Sequence, residues 1–128
     1  MFLLIFLLAG CNTTSDVSVR RLDENKLQVD EIENILESDN SIEKANMIVL
    51  DDEIFIAVQM KPWLKLKKSK QEKKILKKLK KVKSVEKITV SNDFKLYWES
   101  KKLMKKDVTE KEAKKEIAHL KKLKKEET

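Results

Sequence analysis

Apolar residues recur along this chain in blocks of two different periods. In Asp30-Glu31-Ile32-Glu33-Asn34-Ile35-Leu36 the positions Ile32, Ile35 and Leu36 share one helical face. Asp30 as N-cap, with Glu33 three residues on as its reciprocal partner, predicts a helix over about 29–38. Asp39-Asn40-Ser41 is turn chemistry, and beyond it Met47-Ile48-Val49-Leu50 and Ile54-Phe55-Ile56-Ala57-Val58 are strand-like runs separated by Asp51-Asp52, which predicts a hairpin. In the second run Ile54, Ile56, Val58 and Met60 share one face and Phe55, Ala57 and Gln59 the other, so both faces are expected to be at least partly covered. Pro62 then ends the strand.

The period returns to helical in the second half. Ser69-Lys70-Gln71-Glu72 has the form of a capping box, followed by Ile75, Leu76, Leu79 and Val82, and predicts a helix over about 70–83. Val85, Ile88 and Val90 carry a third strand that stops at Ser91-Asn92-Asp93, after which Phe94, Tyr97 and Trp98 begin a helix reaching Met104. Thr109-Glu110-Lys111-Glu112 is a further capping box. The helix it opens has a stripe of only Ala113, Ile117, Leu120 and Leu123, narrow enough to predict a peripheral or mobile element. Helix, strand, strand, helix, strand is the ferredoxin-like βαββαβ order without its first strand, which Val17-Ser18-Val19 supplies weakly. The expected fold class is α+β: a small antiparallel sheet with helices on one face and a C-terminal Lys-rich helix.

The first residues have another character. Residues 2–10 read FLLIFLLAG, too short to span a bilayer and similar to the apolar region of a secretory signal. Leu8-Ala9-Gly10-Cys11 resembles the bacterial lipobox. That resemblance implies a diacylglyceryl thioether on Cys11, cleavage just before it, and a stable two-chain membrane anchor. No Lys or Arg precedes Arg20, and this missing basic region points to a true start further upstream. The expected organisation is a signal over 1–10, a lipidated flexible tether over 11–28, an α+β domain over 29–106 and a basic helix over 107–128.

Composition narrows the chemistry. The chain has 128 residues and a formal net charge of +7, unevenly spread: residues 1–60 hold 4 basic and 12 acidic side chains, residues 61–128 hold 25 and 10. Gly10 is the one glycine and His119 the one histidine, which leaves no glycine-rich phosphate loop and no nucleophile and base arrangement. Asp51-Asp52-Glu53 lacks the spacing and central glycine of an EF-hand. A non-enzymatic protein without cofactor or metal is therefore expected.

The remaining candidate is a lysine cluster, Lys65, Lys67, Lys68, Lys70, Lys73, Lys74, Lys77, Lys78, Lys80, Lys81 and Lys83. It reads as a plain solvated helix face, as a contact for anionic lipid or wall polymer beside the anchor, or as a nucleic-acid surface. The last is disfavoured because Trp63 and Trp98 do not interleave with it as a stacking platform would. On the anionic-surface reading the contacts are Lys67, Lys68, Lys70, Lys73, Lys74, Lys77, Lys78 and Lys81. The alternative is an unidentified partner protein, met by the acidic hairpin. Trp63 and Trp98 read as core or rim residues, with Trp63, just after Pro62, equally suited to a membrane interface.

From Val29 to about Lys105 the chain resembles the YhcN/YlaJ family of sporulation lipoproteins of spore-forming Firmicutes. The matching features are Ser41-Ile42-Glu43-Lys44-Ala45 after the first helix, the hairpin ending in Ala57-Val58, and Val85 to Asp93 with its strand exit. The resemblance implies a spore-associated, membrane-anchored protein with a part in sporulation, germination or outgrowth, and no defined reaction or ligand.

Overall fold

In a computed structural model, residues 16–21, 29–63, 68–82, 85 and 87–127 are described. The elements are β1 (Asp16–Arg21), α1 (Asp30–Ser38), β2 (Ile42–Leu50), β3 (Glu53–Met60), α2 (Lys68–Leu79), β4 (Lys87–Ser91), α3 (Phe94–Lys105) and α4 (Glu110–Glu127). The chain is α+β with a C-terminal helix, as the periodicity predicts. The signal, Cys11 and most of the tether lie outside the described residues.

Four strands form one sheet in the order β1-β2-β3-β4. The expected all-antiparallel sheet is corrected here to a mixed one: only β2 and β3 run antiparallel, while β1 pairs with β2 and β4 with β3 in parallel. Strand period does not encode direction, so the apolar pattern is the same for either pairing. The Val17-Ser18-Val19 segment is an edge strand of this sheet, with Val17 opposite Ala45 and Val19 opposite Met47. At the hairpin, Asp51 takes a left-handed backbone conformation with φ of 55°, which a short carboxylate side chain tolerates better than most.

The two central strands are buried on both faces, and each face has its own core. On one, Met47, Val49, Ile54, Ile56 and Val58 pack against Ile32 and Leu36 of α1 and Ile75 and Leu79 of α2. On the other, Ile48, Leu50, Phe55 and Ala57 pack against Leu96, Tyr97 and Leu103 of α3 and Ala113, Ile117 and Leu120 of α4. Helices on one face only is therefore a second correction. The C-terminal helix is not peripheral: its stripe is narrow because α3 shares the face it covers. Since α1 and α2 lie on the same face while β1→β2 and β3→β4 step the same way along oppositely directed strands, the two crossovers have opposite hands. One of them departs from the right-handed rule.

The helix starts divide between expectation and correction. Thr109 forms its box, with Glu112 N donating to Thr109 Oγ1 at 3.2 Å and Thr109 Oγ1 donating to Glu112 Oε1 at 3.1 Å. Asp30 is instead the first residue of α1, whose N-cap is Val29 with no side-chain hydrogen bond. Ser69 lies inside α2, and Glu72 turns away from it to accept from Asn92 N at 3.0 Å and Lys124 Nζ at 2.5 Å. Asp93 caps α3 by accepting from Leu96 N at 3.0 Å.

Candidate interaction surface

Among the lysines expected to face an anionic partner, Lys70, Lys73, Lys74, Lys77, Lys78 and Lys81 are exposed. Five of them ride on α2, whose apolar side is anchored by Ile75 and Leu79, and Lys81 follows just beyond its end. Burying that stripe turns the intervening positions outward. Lys67 lies outside the described residues, as does the side chain of Lys68. Lys78 bridges to Asp39 at 3.2 Å. With Lys81, Glu31 and Ile35 it lines a shallow groove of about 330 Å³ between α1 and α2.

The acidic half of the molecule is used differently. Asp51 pairs with Lys114 at 3.7 Å, Asp52 with Lys87 at 3.9 Å, and Glu53 with Lys121. Each hairpin carboxylate thus meets a lysine from α4 or β4, which counts against the hairpin as an acidic contact for a partner. His119 is exposed on α4. Among the described residues no His, Cys, Asp and Glu group is arranged to hold a metal, and no helix is long and apolar enough to cross a membrane.

Two polar contacts fix α3 on the sheet. Arg20 donates to Leu103 O at 2.7 Å and to Lys106 O, meeting the terminal carbonyls and negative dipole end of the helix. Asn46, buried on β2, donates to Ser100 Oγ at 3.2 Å, and Ser100 Oγ donates to Tyr97 O at 2.7 Å. Burial raises the Tyr97 phenol above its ordinary value, and the nearby charges of Asp16 and Glu43 add to this against a hydrogen bond from Asn46.

Among the described residues three large apolar side chains are exposed, Trp63 at 73%, Phe94 at 56% and Trp98 at 42%. Phe94 and Trp98 meet edge to face with centroids 5.7 Å apart. Lys101 Nζ stands 4.6 Å from the Trp98 ring centroid, and Lys61 Nζ 5.6 Å from that of Trp63, both in cation–π range. By sequence alone Phe94, Tyr97 and Trp98 open α3 together, and Trp98 is expected in the core or rim. The available signal was that Phe94 and Trp98 fall at i, i+4 spacing off the buried stripe Leu96, Tyr97, Ser100 and Leu103.

The architecture defines a small three-layer α+β protein behind an N-terminal lipobox-like cysteine. Its sequence from residue 11 to residue 120 matches the family model described as sporulation lipoprotein YhcN/YlaJ, and the chain belongs to that family. The match opens at Cys11. No curated protein and no solved structure matches the chain.

Proposed function

We propose that this protein is held on the outer face of a spore or forespore membrane by a diacylglyceryl group on Cys11. Its domain serves there as a non-enzymatic structural or interaction module at an anionic lipid or wall surface, in germination or outgrowth. The observation carrying this reading is the family match that opens at Cys11, together with the exposed lysines of α2 in the half of the chain that holds the positive charge. A domain tethered within about a Debye length, ~8–10 Å, of acidic headgroups gains roughly 1 kcal/mol for each lysine that approaches them.

One experiment tests both parts. Cells producing the wild-type chain, Cys11→Ala, or a chain with Lys70, Lys73, Lys74 and Lys77 changed to Gln are labelled with a clickable fatty acid and fractionated in low and high salt. Cys11→Ala is expected to lose the label and leave the membrane fraction. The lysine variant is expected to stay labelled and membrane-bound, while its domain, released by proteolysis of the tether, loses the salt-sensitive adsorption to anionic vesicles shown by wild type. Label retained by Cys11→Ala sinks the anchor, and adsorption indifferent to the lysines sinks the surface role.

A further inference from the structure

The three exposed aromatic residues all lie at one end of the sheet. β1 begins at Asp16, opposite Lys44 near the start of β2, and Ile42 pairs with Met60 at the end of β3. Trp63 follows three residues after Met60. β4 runs parallel to β3 and finishes there too, with Ser91 opposite Ala57, and Phe94 opens α3 three residues later. Asn46, opposite Ser18 of β1, donates to Ser100 Oγ of α3 at 3.2 Å, which places the start of β1 beside the first turns of α3, which bear Phe94 and Trp98.

The same end is where any tether from Cys11 enters the domain. From Cys11 to Asp16 is five residue steps, at most ~18 Å of extended chain. Along β2, Lys44 to Leu50 is six steps, roughly 20 Å at a strand's rise, before the hairpin turn is reached. A lipid on Cys11 therefore cannot lie under the hairpin end while β1 stays paired. Asp16, Glu43, Asp93 and Glu99 are acids at this end beside Lys44, Lys61, Lys95 and Lys101, with Asp93 engaged as the α3 cap and Glu99 paired with Lys102 at 3.5 Å. The α2 helix also passes close by, since Lys78 reaches Asp39 and Glu72 receives the Asn92 amide.

We propose that this end is a membrane seat: Trp63, Phe94 and Trp98 enter the interfacial region of the phospholipid bilayer carrying the Cys11 anchor, and Lys61, Lys95 and Lys101 meet its acidic headgroups. The ring of a Trp or Phe flanked by lysines suits the headgroup level, where apolar surface and cation are both accommodated. The acidic hairpin, its charge matched by Lys87, Lys114 and Lys121, then stands on the side away from the bilayer. This orientation rests on the anchored reading above.

The full lipidated chain, reconstituted in phosphatidylglycerol and phosphatidylethanolamine vesicles with brominated acyl chains, gives the test. Trp63→Phe leaves Trp98 as the one indole, Trp98→Phe leaves Trp63, and a third chain carries both changes with Asp52→Trp at the exposed hairpin tip. Emission from Trp63 and from Trp98 is expected to shift to the blue and fall about twofold or more, as for interfacial indoles, with the Asp52→Trp emission unchanged. A chain that floats with the vesicles and carries the diacylglyceryl mass on Cys11, yet whose native indoles are not quenched, overturns the seat and leaves the anchor standing. Equal quenching of the Asp52→Trp probe overturns it as well. A chain lacking that mass overturns the anchored reading and the seat together.

Discussion

Asp39 shows how one residue couples a helix end to the basic face. Burial raises its carboxyl pKa, but hydrogen bonds from Ser41 Oγ and Ser41 N, with the Lys78 ammonium, outweigh burial and hold it below the ordinary 3.8. The Ser41 bonds are 2.5 Å and 2.9 Å. A carboxyl depressed on folding contributes stability that is fully present above its unfolded value and lost as pH falls through its folded one. Asp39→Asn keeps the shape and an acceptor for Ser41 but removes the charge. It is expected to unfold about 1 kcal/mol more easily at neutral pH, the scale of a hydrogen bond to a charged group offset by the retained amide. The gap should close as pH drops below 3.8. Urea denaturation followed by circular dichroism at both pH values checks this, and a gap that persists in acid would assign the cost to packing. The Asp39-Asn40-Ser41 turn was legible as turn chemistry. The Lys78 bridge was not, because 39 residues separate the partners and only the fold brings them together.

Among the elements, those with local signals were readable and those that depend on a distant partner were not. Thr109 and Glu112 satisfy each other within one turn, so sequence spacing alone specified them. Ser69 and Glu72 have the same spacing, but Glu72 faces Asn92 and Lys124 around the β4 edge and the box does not form. Two expectations on melting separate the cases. Thr109→Ala is expected to cost about 1 kcal/mol, as the loss of a helix N-cap usually does, seen as a lower thermal midpoint. Ser69→Ala should leave that midpoint nearly unchanged, since Ser69 is exposed inside α2; a cost equal to that of Thr109→Ala would restore the capping role. The few apolar positions of α4 predict a peripheral helix. It packs as core because Ala113, Ile117 and Leu120 need only complete a face that Leu96, Tyr97 and Leu103 already cover.

At the scale of the whole molecule, the two-faced burial of β3 was legible in its alternating apolar positions, yet strand order and direction were not, since neither leaves a trace in period. The lysine cluster was legible for the same reason that its use was not: charge is a property of composition, whereas orientation towards a surface needs topology. Topology places the aromatic residues and the chain's entry at one end, and this leaves two possible causes of an upright domain, the short tether or the aromatic contact. Inserting ten Gly and Ser residues after Ser15 separates them, because the reach from Cys11 grows from ~18 Å to about 50 Å, beyond the length of the sheet. If Trp63, Phe94 and Trp98 hold the orientation, the longer-tethered chain keeps its native indoles quenched by brominated lipid and an indole at Asp52→Trp unquenched. Replacing Phe94 and Trp98 by Ser in that longer chain should then release the domain, with quenching of Trp63 falling and that of the Asp52→Trp probe rising towards a common value. Should the long tether alone produce that common value with all three aromatic residues in place, the leash and not the aromatic contact sets the orientation.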